Sequence, residues 1–241
     1  MNRTIHTHIA KVCRFVALCL AGALLAGCAQ TTGDTASGTN AGGAGDGAVS
    51  DAESPQAAEA GLTVVFMNTG KSDCILLRTP EVCVLIDAAD EDDYARIKDE
   101  LARCGAQRID ALCVSHYDKD HIGSAGLLLR DFPVGEVYGP DYTEDSAYYR
   151  ALESAAKSRG VPFIKPENDT REELSLGKEG RLTLYAPKLP EYDNDNEYSL
   201  IMELTYEGRR FLFTGDALKK RMKEFDGDQD ALKEAYDVVK L

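Results

Sequence analysis

The feature that most constrains this chain is a strand-like run that ends in a cluster of metal-type ligands. Residues 109–115 read IDALCVS, which predicts a buried strand, and the following HYDKDHIG supplies His116, Asp118, Asp120 and His121. Side chains alternate along a strand, so these four converge only if the chain turns from strand into helix here. Two carboxylates this close repel each other, and a divalent cation would resolve the repulsion. Mixed imidazole and carboxylate ligation suits zinc, manganese or iron better than calcium.

The same loop has a simpler interpretation. Aspartate-rich loops are often solvated, and two histidines at this spacing are a weak signal by themselves. Two further features favour a metal site. The small residues that follow Ile122 suit a loop packed tightly against a site, and a further acid, Asp216, closes another strand-like run at FTGD.

Composition restricts the partners that the chain can bind. The formal net charge is −14, from 41 acidic and 27 basic residues, and the hydrophobic fraction of 44% is normal for a folded domain. At this charge, bulk electrostatics would repel a nucleic acid rather than attract it. An anionic substrate therefore needs a local positive centre, such as a bound metal.

The N-terminus has the pattern of an export signal. Basic residues precede the uncharged apolar run 15–26, which is too short to span a bilayer comfortably. The run closes with LAGC at residues 25–28, which resembles the lipobox of bacterial lipoproteins. This predicts a signal peptide at 1–27 and a lipid on Cys28 that anchors the protein to the cell membrane, outside the cytoplasm. An ordinary secretory signal or an uncleaved anchor are the alternatives.

A tether and one domain follow. Residues 28–61 are rich in Gly, Ala, Ser and Thr without periodicity, which predicts a flexible linker. Residues 62–241 contain 36 acidic and 24 basic residues, a net charge of −12. This domain has four cysteines, which an exported protein could pair. Because Cys74, Cys83 and Cys113 lie in apolar runs, we expect them to be small buried residues instead.

Apolar periodicity predicts a mixed α/β domain. Helices are expected at 90–104, 122–130, 143–159, 217–225 and 229–236, with Thr143 as the N-cap of the third. Strands are expected at 62–67, twice within 74–87, and at 109–115, 135–139, 181–187, 198–208 and 209–216, with a last one beginning at 237. Strands outnumber crossover helices and include tight hairpins. This predicts mixed sheets with helices packed outside rather than one parallel sheet.

Three motifs together resemble a known family. SHYDKDHIGSAG at 115–126 is similar to the signature loop, H-x-[HD]-x-D-H, of the metallo-β-lactamase superfamily. Residues 64–88 resemble the opening hairpin of the branch that includes the extracellular hydrolase domain of competence-type DNA-uptake proteins. Residues 196–216 resemble the late N-x-x-S-L…F-L-x-T-G-D segment of that branch. The resemblance covers 62–241.

The resemblance implies a four-layer αββα sandwich with a metal centre at one rim. His116 and Asp118 would hold a first metal, Asp120 and His121 a second, and Asp216 would bridge both. Two zinc ions are expected, with manganese or iron as alternatives. Two metals about 3.5–4 Å apart lower the pKa of a bridging water, whose hydroxide would attack while Asp120 orients it as the catalytic residue.

The resemblance also implies a substrate class. Phosphodiesters are expected, either small molecules or nucleic acid. β-Lactams are disfavoured, because Asp118 stands where such enzymes commonly use histidine.

Two departures from the family pattern bear on activity. Many members have a histidine before the late strands, where this chain reads YDNDNEYS at 192–199, so Asp193, Asp195, Asn196 or water would take its place. The family also continues past a strand like DVVKL into a histidine-containing loop, so a domain lacking its C-terminal part is expected. A second hypothesis follows, in which the protein binds a metal or a partner without turnover.

Three other features leave alternatives open. Asp73 either braces the metal loop as a hydrogen-bond acceptor or lies in a surface turn. The tyrosines at 142, 148 and 149 either stack on a substrate base or, as we favour, form half-buried helix faces. The basic run at 219–223 either steers a phosphate or is a solvated helix face.

Overall fold

Two β-sheets pack face to face and carry helices on their outer sides. The computed structural model describes residues 61–229 and 235–241, all within one unit of the chain, Asp51–Leu241. The predictions for residues 1–60, including the lipid on Cys28, lie outside these residues, as does most of the helix expected at 229–236. In the part of the chain that is described, no helix is both long and apolar enough to cross a membrane.

The first sheet contains the strand that leads into the predicted metal loop, residues 116–121. Its order is β1-β2-β3-β4-β5-β6, antiparallel from β1 to β3 and parallel from β3 to β6. The strands are β1 (Thr63–Phe66), β2 (Ile75–Arg78), β3 (Cys83–Ile86), β4 (Ile109–Cys113), β5 (Val134–Tyr138) and β6 (Phe163–Ile164).

The second sheet contains the strand that leads to Asp216. Its order is β11-β10-β9-β8-β7, antiparallel except for the parallel pair β10 and β11. The strands are β7 (Arg171–Ser175), β8 (Gly180–Tyr185), β9 (Ile201–Tyr206), β10 (Arg209–Phe213) and β11 (Val238–Lys240). The prediction of mixed sheets is therefore confirmed.

In the described part of the chain, five α-helices cover the sheets. They are α1 (Tyr94–Arg103), α2 (Lys119–Ile122), α3 (Ala125–Asp131), α4 (Ala147–Arg159) and α5 (Lys219–Gln229). Short 3₁₀ helices occupy Glu91–Asp93 and Asp195–Tyr198.

Three apolar clusters define the layers. In β2, Leu76 faces the helices α1, α3 and α4, whereas Ile75 and Leu77 face the second sheet, as strand alternation requires. On the far side of the second sheet, Leu212 packs against Phe225 of α5. The order is helices, sheet, sheet, helix, so the predicted four-layer αββα sandwich is confirmed.

Local structure differs from the sequence predictions in three places. The helix expected from 143 begins at Ala147, because the Ser146 hydroxyl, not Thr143, accepts the Tyr149 N–H. The helix expected at 122–130 is divided into α2 and α3 around Gly123. The third difference is that β6 and β7 had not been predicted, since β6 has two residues and β7, at the sheet edge, is mostly polar and exposed.

The cysteines fit the expected burial. Cys74, Cys83 and Cys113 are buried, all four cysteines of the domain are free thiols, and burial raises the pKa of Cys83 to about 12. The three buried cysteines pack as small apolar residues in or beside the strands of the first sheet, as predicted.

The basic run at the start of α5 is not a uniform solvated face. Arg221 is 1% exposed, and its guanidinium donates to the carbonyls of Ser199, Tyr185 and Ala186. Its own N–H donates to the buried carboxylate of Glu197. Arg221 thus joins α5 to the second sheet instead of facing a substrate.

We expect Arg221→Met to destabilise the protein by about 3 kcal/mol, since it leaves buried carbonyls without their donor. Lys223→Met on the same helix, where the side chain is exposed, should change stability by less than about 0.5 kcal/mol. Urea unfolding of both variants measures the difference. Equal stabilities would show that the Arg221 contacts contribute nothing net.

Candidate metal centre

The predicted ligands come together where β4 and β10 end at the same rim. His116 follows β4, and Asp216 follows β10 through Thr214 and Gly215. Gly215 has a φ of 56°, and a Cβ there would lie 2.6 Å from Cβ of Ser115. Only glycine therefore allows the two strand ends to approach this closely.

His116 is a buried imidazole with one nitrogen unused by the protein. It is 0% exposed, and its Nε2 has no hydrogen-bond partner. The Ser115 hydroxyl donates to Asp87, 2.8 Å away, so it accepts from His116 Nδ1–H at 3.1 Å. In the neutral ring the lone pair of His116 is therefore on Nε2, which faces the other candidate ligands.

His121 lies between two carboxylates. Its Nδ1 donates to Oδ2 of Asp87 at 2.9 Å, and its Nε2 lies 3.4 Å from Oδ1 of Asp216. Its ring centroid is 4.1 Å from that of His116. Burial disfavours the charged imidazole, but Asp87 and Asp216 outweigh burial and raise the pKa of His121 to about 10.

Two of the predicted acids lie at the mouth of the site. The Asp118 side chain is 43% exposed with Oδ2 3.5 Å from His116 Nε2, and that of Asp216 is 40% exposed. The neighbouring His116 imidazole lowers the pKa of Asp118, and the His121 imidazole lowers the pKa of Asp216. Both groups are therefore carboxylates at neutral pH, half open to solvent.

The structure brings these residues together to different degrees. Among the described residues, one group with ligand atoms within 4.8 Å of one another contains His116, His121 and Asp216. Asp118 stands next to this group, beside His116. Asp120 is half-buried, and its backbone carbonyl accepts the Asp73 N–H at 3.0 Å. Its roles as ligand and catalytic residue stay predictions.

The late loop places one candidate substitute ligand beside Asp216. Asn196 lines a groove of about 430 Å³ with Gly215 and Asp216, whereas Asp193 and Asp195 are exposed. Among the residues that could take the place of the family's histidine, Asn196 thus lines the same groove as the candidate ligand Asp216.

Sequence reasoning did not single out Asp87. Its carboxylate is 1% exposed and accepts from the Ser115 N–H at 2.7 Å, from the Ser115 hydroxyl and from His121. The one feature of the sequence that could have indicated Asp87 is its position directly after the apolar strand CVLI. Asp73, which had been left open, is also buried and forms a second close group with Asp87 and His121.

Aromatic residues hold the metal loop from behind. Tyr117, which follows His116, is 1% exposed and donates from its hydroxyl to the carbonyl of Pro140 at 2.7 Å. Its backbone N–H donates to the Tyr142 hydroxyl, and its ring packs on those of Tyr142 and Tyr149 at 4.7 and 4.6 Å. Tyr149 thus contributes to the core instead of a free stacking surface.

The residues present fit a divalent metal. A buried imidazole nitrogen without a partner is costly, and here it faces a second imidazole and two carboxylates. Nitrogen and carboxylate oxygen together are ligands that zinc, iron and manganese share. Asp87 supplies the outer carboxylate that metal-binding histidines usually have.

A comparison with protein families identifies the family to which the chain belongs. The model of the metallo-β-lactamase superfamily matches residues 67–238, so the protein belongs to this superfamily. The fold, generally that of metal-dependent hydrolases, agrees with the sandwich and its rim of histidine and aspartate ligands.

Matches to individual proteins cover shorter parts of the chain than the family model does. ComE operon protein 3 of Bacillus subtilis (strain 168) is 28% identical over 124 residues, which are 52% of this chain and 16% of that protein. Hydroxyacylglutathione hydrolase of Aeromonas salmonicida (strain A449) is 33% identical over 67 residues, 28% of this chain and 25% of that protein. The matches thus span a quarter or less of either relative.

A solved structure agrees on the fold. A metallo-β-lactamase with a HARLDQ motif from Cronobacter sakazakii has a TM-score of 0.50 and 16% identity, with 73% of each chain covered. The metallo-β-lactamase fold protein YhfI of Bacillus subtilis has a TM-score of 0.47 and 18% identity, with 74% of this chain and 67% of that chain covered.

We expect His116→Ala and His121→Ala each to weaken zinc binding by more than about 100-fold. Substitution of a residue that only hydrogen-bonds to a metal ligand already lowers metal affinity by about 10–100-fold, and loss of a ligand should cost more. Competition with a coloured chelator measures the affinity. Asp99→Ala, an exposed acid on α1, is the control and should bind like the unmodified protein. Unchanged affinity in both histidine variants would contradict the assignment.

Zinc binding near pH 7.5 should release a proton from His121. Its pKa of about 10 keeps the imidazole protonated in the metal-free protein, and a metal ligand must be neutral. Affinity should therefore rise with pH up to about 10. Calorimetry in two buffers of different ionisation enthalpy measures the proton, and identical binding enthalpies would contradict this prediction.

Proposed function

We propose that the protein is a metal-dependent hydrolase that acts on phosphodiesters. The observation that carries this proposal is the buried, unpartnered Nε2 of His116, which faces His121 and the carboxylates of Asp118 and Asp216. The phosphodiester class comes from the branch of the superfamily that the sequence resembles.

The buried and the half-exposed residues of the site would have different roles. His116 and His121 are buried and fixed by Ser115 and Asp87, so they would hold the metal in a constant orientation. Asp118 and Asp216, half exposed, would complete the ligand set on the side from which substrate arrives. When bound, a divalent metal polarises a phosphoryl oxygen and activates water. Asp120, at the start of α2, would orient that water and accept its proton.

Charge favours a small phosphodiester over a long polyanion. The domain has a net charge of −12, and the carboxylates of Asp118 and Asp216 lie at the mouth of the site. Burial, followed by the negative charges of Asp195 and Asp118, raises the pKa of Glu144, which agrees with an acidic environment on the Asp118 side. A nucleic acid strand would meet this repulsion along its length, whereas a small diester meets the metal directly. An open groove of about 430 Å³ lies beside Asp216.

We also propose that the protein acts outside the cytoplasm, tethered by a lipid on Cys28. The basic flank, the apolar run and the LAGC sequence at 25–28 support this proposal. Labelling with a radioactive fatty acid tests it, since Cys28→Ser should remove the label. Incorporation that persists in the variant would refute it.

Hydrolysis of bis(p-nitrophenyl) phosphate by the zinc-loaded protein tests the activity. Asp120→Ala should lower kcat/KM by about 10²–10⁴-fold, the usual contribution of a proton acceptor, while Asp99→Ala should not change it. Metal content is measured in parallel, and a single-stranded oligonucleotide is assayed beside the small diester.

The outcomes separate the hypotheses. Metal binding without turnover of either substrate would favour the binding-only hypothesis over the enzyme. Turnover of the oligonucleotide in preference to the small diester would overturn the charge argument. Turnover that survives Asp120→Ala would remove Asp120 from the mechanism.

A further inference from the structure

The two halves of the metal centre lie on different sheets. His116 and His121 belong to the loop after β4 of the first sheet, whereas Asp216 follows β10 of the second. A metal held by both halves requires a fixed distance between the two strand ends. The contacts that set this distance therefore affect metal affinity without touching the metal.

Asp73 secures the first half through its backbone. Its N–H donates to the carbonyl of Asp120 at 3.0 Å, and its carbonyl accepts the Ala89 N–H at 2.8 Å. Next to it, the Ala88 N–H donates to the carbonyl of His121 at 2.7 Å. The second part of the metal loop is thus held by the segments around Asp73 and Ala88.

Lys240 connects this half to the second sheet. Its ammonium donates to Oδ2 of Asp73 at 2.6 Å, across 167 residues of sequence. Its backbone carbonyl accepts the N–H of Thr214 at 3.1 Å, and Thr214 lies two residues before Asp216. A continuous set of contacts therefore runs from Asp120 through Asp73, Lys240 and Thr214 toward Asp216.

The burial of this ion pair distinguishes it from those on the surface. The Asp73 and Lys240 side chains are 11% and 27% exposed. Asp73 also lies in the close group with Asp87 and His121, where its negative charge needs a counter-ion. Arg209 and Asp237 form another ion pair at the other end of β11, with the Arg209 side chain 72% exposed. Because solvent screens an exposed pair, this ion pair contributes far less.

We propose that Lys240 is a positioning residue: through Asp73 it ties the two sheets together at the rim and so sets the metal affinity of the centre. This inference rests on the proposed metal site and adds a residue that contacts neither metal nor substrate. It assigns a function to the last strand of the second sheet, which otherwise only extends that sheet.

A purely electrostatic role predicts a different result from a tie. If only charge mattered, Asp73→Asn would weaken metal binding by removing a negative charge, and Lys240→Met would strengthen it by removing a positive one. If the pair is a tie, both substitutions weaken binding, and the double variant is little worse than either single variant.

The experiment measures zinc affinity by chelator competition in the 241-residue protein. Asp73→Asn and Lys240→Met should each weaken binding by about 10–100-fold, and Lys240→Arg should restore most of the affinity. Arg209→Met is the matched control, because it breaks the other ion pair of β11, and it should leave the affinity unchanged. Thermal unfolding of each metal-free variant checks that it is folded.

The results decide the proposal. Opposite effects of Asp73→Asn and Lys240→Met, no effect of Lys240→Met, or an equal loss in Arg209→Met would overturn it. An unmodified protein that binds no zinc would instead refute the proposed metal site, so the two failures are distinguishable.

Discussion

The hydrogen bonds to the buried carboxylate of Asp87 are the interaction on which the candidate metal centre depends. The carboxylate accepts hydrogen bonds from the backbone and hydroxyl of Ser115 and from Nδ1 of His121. Because the Ser115 hydroxyl donates to Asp87, it must accept from His116. When the rings are neutral, as metal binding requires, one carboxylate thereby sets the tautomer of both imidazoles and directs both Nε2 atoms toward the rim. A different acceptor at this position would change two ligands at once.

The architecture explains why the site lies at the rim rather than in the core. Each sheet supplies one strand end, and Gly215 removes the side chain that would separate them. The apolar layer between the sheets, with Leu77 on one side and Phe213 on the other, ends just below. Half-exposed carboxylates are therefore tolerated at the mouth, while the imidazoles use the edge of the core for rigidity.

The local parts of this site were readable from sequence, and the distant parts were not. The loop 116–121 is a contiguous motif, and the strand before it has clear apolar character, so the convergence of His116, Asp118 and His121 was predicted. Asp87 acts across 28 and 34 residues, and nothing in its neighbourhood distinguishes it from an acid that ends a strand. The contact between Lys240 and Asp73 spans 167 residues and depends on how the sheets stack.

The predicted start of α4 was wrong and β7 was not predicted, because both depend on contacts with other parts of the fold. Thr143 and Ser146 are both good N-caps, and only the packing of α4 decides between them. The strand β7 was missed because its residues are polar, and its backbone pairing with β8 places it in the sheet. Strand periodicity reports burial, so an exposed edge strand gives little signal.

The packing behind the metal loop has a further consequence for substrate entry. Tyr117 is enclosed by the rings of Tyr142 and Tyr149, and Lys165 donates to the Tyr142 carbonyl and the Tyr149 hydroxyl at 2.7 Å. These contacts tie the back of the loop to its neighbours, so a change of shape there would break several hydrogen bonds. Any adjustment of the site would therefore fall to the groove beside Asp216, where the Leu218 side chain is 44% exposed.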